Sequence, residues 1–285
     1  RSRGLMNILS YLPEISYLIL SLLVLDLLGS GLFRLIVRPR AKRYWDATEE
    51  PLLPLQLEHQ FPPQWQQYLE KSGAILAEPS SKVRLRMKGI VRTKPTGKWH
   101  PTECKAFFTS NPLTMVWYAD ITRAFLVSIK ATEQFAQGQG FSTRWILSIF
   151  PYRWKQASLP ETMAQRNAFY SLAAAVWLPQ WWLHYTLDWH ETAYDLLPFT
   201  CTIGDQVFFL KAQFNAAHQL TELSQWQENW QEVNTKLVFS DYQMVQEQSI
   251  PLQVEVLEKD ANGLLFVCAE FQVTDVVQKG PYAWW

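Results

Sequence analysis

Cysteine is scarce in this 285-residue chain, which has only Cys104, Cys201 and Cys268. The three are odd in number, widely separated and never paired as C-x-x-C. This pattern argues against a C-x-x-C redox or zinc motif. It is typical of isolated, buried thiols in a reducing compartment.

The sequence also lacks the short motifs that mark common enzymes. It contains no G-x-S-x-G, no H-E-x-x-H and no Walker loop. Gly138-Gln139-Gly140 has no third glycine and no predicted helix after it, so it indicates a turn rather than a phosphate-binding loop. No catalytic residue, cofactor site or metal site is therefore predicted, and an enzyme is the least favoured class of protein.

One set of polar residues includes side chains that can bind a metal ion. His184, Thr186, Asp188 and His190 fall on one face of a predicted strand. They could offer two imidazoles and a carboxylate to a metal ion. Ligands along one strand are spread over roughly 20 Å, however, and cannot all reach one ion. A solvated strand face is the favoured interpretation.

Net charge is absent, because 26 basic and 26 acidic side chains cancel. The charges are unevenly spread: residues 1–98 have a balance of +7 and residues 99–285 a balance of −7. A neutral chain is not favoured as a nucleic-acid binder. The asymmetry predicts a basic amino-terminal part and an acidic remainder.

The most prominent feature that is present is one apolar run, residues 15–37. At about 1.5 Å per residue, it reaches across a hydrocarbon core of roughly 30 Å, so it predicts a single membrane-spanning helix. A secretory signal is the alternative. It is disfavoured because the run is too long for the apolar region of a signal and no A-x-A site precedes the basic residues that follow.

The middle of this run contains polar and small residues that a passive anchor does not need. Asp26, Gly29 and Ser30 share one helix face by their spacing. A carboxylate in lipid costs several kcal/mol unless it is paired or neutralised. This stripe of polar and small residues, Asp26, Gly29 and Ser30, predicts close contact with another transmembrane helix. A lone anchor with a protonated Asp26 is the alternative.

The flanks of the run predict its orientation. Four basic residues follow it closely, and only two precede it. The four are Arg38, Arg40, Lys42 and Arg43. The positive-inside rule then predicts that the carboxyl side of the run, and with it the domain, lies in the cytoplasm. These four residues and Trp45 are expected at head-group level, in contact with anionic lipid or an acidic partner.

The chain divides into an anchor with its basic flank (residues 1–43), a linker with a short helix (44–79) and an antiparallel β domain (80–285). The short helix is predicted over residues 64–72 and a long helix over 159–177. Strands are predicted over residues 82–88, 102–109, 114–121, 125–133, 140–150, 184–191, 195–203, 206–214, 220–227, 235–245, 251–258 and 264–275. This order predicts an α+β fold in which a curled antiparallel half-barrel wraps the long helix.

The first strand of the domain alternates basic and apolar residues without an error. Val83, Leu85 and Met87 are expected to face a core, and the four cations to face outward. Of these cations, Arg84 and Arg86 are predicted to contact anionic lipid or an acidic partner. A solvated sheet face that discourages edge pairing is the open alternative.

Short motifs are spread over roughly residues 80–275. They are Gly89, Trp99-x-Pro101, Trp117-x-Ala119, Gly138-x-Gly140, Val176-Trp177-Leu178-Pro179, Trp189, Asp241-Tyr242, Ile250-Pro251 and Glu255. Together they resemble an uncharacterised bacterial domain family of unknown function. The resemblance implies a curved β half-barrel of the lipoprotein-carrier type and assigns no reaction. The family pattern R-x-L-A-E-x-V-W-x-P places its arginine and glutamate where this chain has Tyr170 and Ala174, which favours a structural or binding role.

Two function classes remain. The first is a non-catalytic, membrane-anchored accessory subunit that binds other membrane subunits through its helix and its Trp-rich domain. The second is a membrane-tethered carrier of a lipid or other apolar ligand inside the curled sheet. The need of Asp26 for a neighbour favours the first class.

Overall fold

A computed structural model of the protein describes residues 12–46, 61–75, 77, 80–124, 127–146, 148, 150–152, 160–190, 196–203 and 206–278. Three α-helices lie in these ranges: α1 (Leu12–Asp46), α2 (Pro63–Lys71) and α3 (Pro160–Ala173). Two 3-10 helices follow α3 at Ala174–Val176 and Pro179–His184. The strands are β1 (Lys82–Val91), β2 (His100–Ser110), β3 (Leu113–Ala124), β4 (Val127–Ala136), β5 (Gln139–Ile146), β6 (Phe150–Tyr152), β7 (Thr186–Trp189), β8 (Leu197–Ile203), β9 (Gln206–Phe214), β10 (Leu220–Trp226), β11 (Val233–Val245), β12 (Gln248–Lys259) and β13 (Leu265–Val277).

All thirteen strands form one antiparallel sheet, in the order β6-β5-β4-β3-β2-β1-β13-β12-β11-β10-β9-β8-β7. Strands that are neighbours in sequence pair with each other except β6 and β7, and β1 pairs with β13 to join the two halves. The sheet is not closed, since β6 and β7 are its two edges. The predicted α+β class with an antiparallel sheet and few helices is confirmed.

Two predicted strands differ from the structure by more than a few residues at their ends. The strand predicted over residues 140–150 is interrupted after Ile146, and β6 begins only at Phe150. Ser148, between them, has a φ of 59°, a left-handed value that turns the chain. The strand predicted over 184–191 is only Thr186–Trp189, because His184 belongs to the preceding 3-10 helix.

The inner face of the sheet is filled by α3 and the segment that follows it. Every residue from Ser171 to Trp182 is buried. Gly140 in β5 permits close packing here, because a Cβ at this position would lie 2.7 Å from the Cα of Ala164 in α3. The predicted helix over 159–177 is therefore confirmed in place, although its last turn is 3-10 and residue 159 lies outside the described residues.

Arg166 of α3 shows how strongly the sheet curls. Its guanidinium lies 3.1 Å from Glu133 of β4 and 3.4 Å from Glu258 of β12. Four strands separate β4 from β12, so in a flat sheet they would be about 24 Å apart. One side chain can reach both only because the sheet bends around α3, as the half-barrel prediction requires.

The short helix α2 begins and ends close to its prediction. Pro63 is its first residue, and Gly73 follows its C-cap with a φ of 75°. Its buried face is made by Trp65, Tyr68 and Leu69. These side chains belong to the same core as the β domain, so the predicted short helix packs with the sheet.

Candidate functional site at the junction of helix α1 and the sheet

Helix α1 is longer than the apolar run that predicts it. It continues to Asp46, so residues 44–46 are helical rather than part of a linker, and residues 47–60 lie outside the described residues. Within α1, Ser16–Arg43 is long and apolar enough to cross a membrane by length and composition. That criterion is also met by signal sequences and by buried core helices.

The carboxyl half of α1 packs on the outer face of the sheet. Phe33, Val37, Ala41 and Trp45, three or four residues apart, lie on one side of the helix and are at most 4% exposed. They form a small core, separate from the main one, with Phe107, Val116 and Tyr118, and Trp145 packs against it. The opposite side of α1 stays open: Leu27, Leu28, Leu32 and Leu35 are 47–72% exposed.

The predicted helix–helix stripe meets a different neighbour in the structure. The Ser148 hydroxyl lies 3.4 Å from Oδ1 of Asp26 and 3.3 Å from the Ser30 hydroxyl. Gly29 is buried on the same side of α1. The turn between β5 and β6 is therefore within reach of the polar stripe. Contact of Asp26, Gly29 and Ser30 with another transmembrane helix stays a prediction.

The basic flank lies on α1 itself. Arg38, Lys42 and Arg43 are exposed, and Lys42 lies 3.9 Å from Asp46. The side chain of Arg40 lies outside what is described. Contact of these four residues with a membrane or an acidic partner stays a prediction.

Trp45 does not lie free at the end of the helix, as a head-group residue would. It is 2% exposed and packs edge-on against Phe107. Nζ of Lys82 donates to its carbonyl at 3.2 Å and lies 4.9 Å from the centre of a Trp45 ring. The ring of Trp45 is therefore buried against the sheet, and its contact with a membrane or an acidic partner stays a prediction.

Strand β1 confirms the inward residues of the alternation, and one residue of its outer face is covered. Val83, Leu85 and Met87 are in the main core. Arg84, which alternates with these core residues, is only 5% exposed, and its guanidinium lies 3.8 Å from Asp275. Arg86 is half-buried. The proposed role of both arginines toward an anionic partner stays a prediction.

Lys105 is a residue that the sequence interpretation missed. It is the ladder partner of Arg86 across β1 and β2. Burial, and to a smaller degree the nearby positive charges of Arg86, Arg34 and Arg84, lower the pKa of its ammonium group to about 8, against the opposing effect of Glu103. Only the strand register and the packing of α1 bring these four cations together, so no sequence motif marks the cluster.

The inner face has its own polar cluster. Tyr170 occupies the family's arginine position, and its hydroxyl donates to Oε1 of Glu258 at 2.7 Å. Arg166, one turn earlier, binds the same carboxylate and Glu133. The carboxylate of Glu258 therefore contacts an arginine in this chain, although that arginine is Arg166 and not residue 170. The two carboxylates raise the pKa of Arg166, which keeps it charged despite its burial.

The structure does not bring the candidate metal ligands of residues 184–190 together. His184 is buried in a 3-10 helix, and His190 lies beyond the end of β7 against Trp230. No group of three potential metal ligands occurs among the residues that the structure describes. Trp181 and Trp182, in the same 3-10 helix as His184, are fully buried. Their packing favours this helix over the strand that the alternating pattern predicts.

The three cysteines are free, as their spacing indicates. Cys104 and Cys201 are buried, and burial raises the pKa of both thiols. Burial also raises the pKa of Cys268, which is partly covered. None of the three has the lowered pKa of a reactive thiol.

A family model described as "Family of unknown function (DUF6920)" matches residues 59–277. The chain belongs to this family. The DUF6920 match confirms the resemblance to a family of unknown function and begins early enough to include α2. No curated protein sequence matches the chain.

Three solved structures are similar in outline. A domain named for outer-membrane lipoprotein sorting from Vibrio parahaemolyticus is 9% identical, with a TM-score of 0.42, and a DUF1329 family protein from Desulfovibrio piger is 10% identical, with the same score. Each match covers 77% of this chain and 93% of the other. A LolA superfamily protein from Nitrosomonas europaea is 10% identical with a TM-score of 0.38, covering 75% and 93%.

The family motifs of this DUF6920 member serve packing in the described structure. The indole of Trp177 donates to the carbonyl of Pro251 at 2.9 Å, which joins the α3 segment to β12. The hydroxyl of Tyr242 donates to the carbonyl of Leu220 at 2.6 Å. At Gly89 a Cβ would lie 1.9 Å from the carbonyl oxygen of Glu270, so only glycine fits beside β13.

Proposed function

We propose that this DUF6920 protein is a non-catalytic, membrane-anchored accessory subunit whose β domain is held against the membrane by α1. The observation that carries the proposal is the core shared by helix and sheet. Phe33, Val37 and Trp45 are buried against Phe107 and Tyr118. A helix docked in this way fixes the domain relative to the anchor, whereas a carrier that moves between partners needs a flexible tether.

The open side of α1 supplies the surface for partners. Leu28, Leu32 and Leu35 point away from the domain and are 47–72% exposed. In a membrane this side faces acyl chains and the helix of another subunit, where close van der Waals packing drives association. The proposed location is the bacterial inner membrane, with the domain on the cytoplasmic side, as the basic flank of the run indicates.

Site-specific photo-crosslinking in membranes tests the subunit proposal. A benzophenone amino acid at Leu28 should give a light-dependent product heavier than the 33.3 kDa chain. The same group at Phe33, which is 4% exposed and faces the sheet, is the matched control and should react only within the chain. If Leu28 gives no protein adduct and blue-native gels show a lone chain, the subunit proposal is wrong.

One observation favours a second candidate, a binder of a lipid or other apolar ligand. An aromatic cluster lies against the inner face of the sheet, with Trp65 5.0 Å from Trp189 and 5.1 Å from Phe199 between ring centres. The indole N–H groups of Trp65 and Trp189 and the hydroxyl of Tyr185 are buried and have no hydrogen-bond partner among the described residues. Buried donors of this kind are usually satisfied by water or by a ligand.

The filled inner face argues for the subunit over the carrier, since Ser171–Trp182 already occupies that side of the sheet. Organic extraction and mass spectrometry of the purified full chain separate the two functions. Stoichiometric lipid that is lost in Trp65→Leu but kept in an exposed control, Ile75→Ala, would establish the carrier. Extracts without a retained lipid would count against the carrier, and the crosslinking at Leu28 decides the subunit.

A further inference from the structure

Buried hydrogen-bond donors concentrate at one place in the molecule, the seam between α2 and the segment that leads into β7. Five buried side-chain polar atoms at this seam have no hydrogen-bond partner among the described residues. They are the indole N–H groups of Trp65, Trp182 and Trp189 and the hydroxyls of Tyr68 and Tyr185, here called the donor cluster. Native proteins leave few such groups unpaired, so a concentration of them indicates an acceptor from outside the chain.

The rings of the donor cluster form one contiguous group. The centre of the Trp65 ring lies 5.2 Å from that of Trp182 and 5.0 Å from that of Trp189, and Tyr185 lies 6.1 Å from Trp182. Trp65 and Trp182 are 0% exposed, and Tyr185 is 2% exposed. A neighbouring ring offers an N–H group only a weak substitute for an oxygen acceptor.

Two members of the donor cluster partly satisfy each other, and three do not. Burial raises the pKa of the Tyr68 hydroxyl, and the neighbouring Trp182 side chain opposes this rise. Trp65, Tyr185 and Trp189 have no such neighbour in the part of the chain that the structure describes. Trp65 belongs to α2 and the other two to the facing segment, so acceptors are needed on both sides of the seam.

The surroundings of the donor cluster specify an uncharged acceptor. Within the described residues, no lysine or arginine acts on the hydroxyls of Tyr68 and Tyr185. An anion buried here would lose its hydration without gaining a cation. Phe199 and Phe214 also pack against Trp65, so the seam is lined by apolar rings. These conditions fit neutral carbonyl oxygens carried on a flat, apolar ring.

The seam reaches the surface at the open edge of the sheet. Trp189 is the last residue of the edge strand β7 and is only partly covered. We infer that the seam binds a quinone, a neutral flat ring with carbonyl oxygens at opposite ends, with Trp65 donating to one oxygen and Tyr185 to the other. This inference rests on the second candidate function, the binding of an apolar ligand, and is independent of the subunit proposal. Because the rings now touch, α2 has to shift outward to admit the ligand.

The test is a titration of the full chain in neutral detergent, read as the midpoint of thermal unfolding by circular dichroism. Duroquinone, a fully methylated benzoquinone, is the probe. Durene, which has the same ring and methyl groups without the carbonyl oxygens, is the matched control ligand. We expect a saturable rise in the midpoint with duroquinone only. In Tyr185→Phe the apparent affinity should fall about fivefold, the effect of losing one hydrogen bond.

Tyr118→Phe is the matched control variant, since the Tyr118 hydroxyl is already bonded to the carbonyl of Val37, and it should leave the affinity for duroquinone unchanged. Equal shifts with duroquinone and durene would refute carbonyl recognition but keep an apolar-ligand site. No saturable shift with duroquinone, or equal effects of the two tyrosine variants, would overturn the inference.

The ligand-free midpoints give a second readout. Tyr185→Phe should raise the midpoint, because it removes a buried hydroxyl that has no partner in the free chain. A lower midpoint would show that water already satisfies this hydroxyl, and it would also overturn the inference. None of these outcomes affects the crosslinking result at Leu28.

Discussion

The hydroxyl of Tyr118 donates a hydrogen bond to the backbone carbonyl of Val37 at 3.2 Å. This contact joins β3 to α1 inside a buried apolar cluster, so the helix is attached to the domain by both packing and a polar bond. A hydrogen bond of this kind contributes about 1 kcal/mol when buried. The domain and its anchor are therefore expected to unfold together.

The first prediction tests this attachment through stability. Phe33→Ala should lower the free energy of unfolding of the full chain in detergent by about 3 kcal/mol, because it opens a cavity in the small core between α1 and the sheet. Tyr118→Phe should cost about 1 kcal/mol. Leu35→Ala is the control, since Leu35 is 72% exposed. Equal effects of Phe33→Ala and Leu35→Ala would mean that α1 does not dock.

The second prediction concerns Arg166. Its replacement by glutamine leaves Glu133 and Glu258 without their cation, so we expect a loss of about 3 kcal/mol in the free energy of unfolding. Lys259→Gln breaks an ion pair with the exposed Glu232 and should cost less than about 1 kcal/mol. Chemical denaturation of the full chain measures both. Indistinguishable midpoints would show that Arg166 does not hold the curled sheet together.

Local patterns predicted much of the fold. The alternation around Val83 identified β1 and its inner face, and Pro63 with Gly73 bounded α2. The docking of α1 was not predictable, because its apolar residues surround the helix and do not single out Phe33 or Val37 as the packed side. The alternation of β1 predicts that Arg84 and Arg86 share a face, but it does not predict Lys105 beside them, because that pairing depends on the register of β1 and β2.

The third prediction is a pH dependence at Lys105. Its folded-state pKa of about 8 lies below the ordinary 10.5, so between these values the unfolded chain binds more protons than the folded one. The free energy of unfolding should therefore rise with pH through this window. Lys105→Met should flatten that rise and stabilise the chain below pH 8, whereas the exposed control Lys98→Met should do neither. A steeper rise in Lys105→Met would contradict the assignment.

The fourth prediction addresses the side of the membrane on which the domain lies. Thr96→Cys, in the exposed turn between β1 and β2, should resist a membrane-impermeant maleimide in intact cells and react after lysis. The native thiols of Cys104 and Cys201 are buried with raised pKa values, so they contribute little background. Labelling in intact cells with a permeable outer envelope would reverse the orientation.

The last prediction separates two neighbours for Asp26. The structure offers Ser148, whose hydroxyl lies 3.4 Å from the Asp26 carboxylate, whereas the sequence predicts a second transmembrane helix. If Ser148 is the main neighbour, Asp26→Leu and Ser148→Ala should each lower stability, and the double variant should be no worse than the more damaging single one. If another helix is the neighbour, Asp26→Leu and the pair Gly29→Leu with Ser30→Leu should reduce co-purification of partner subunits in mild detergent. Ser148→Ala should then leave co-purification intact, because it removes only a bond within the chain. Unchanged partners in all variants at matched expression would restrict Asp26 to attaching α1 to its own domain.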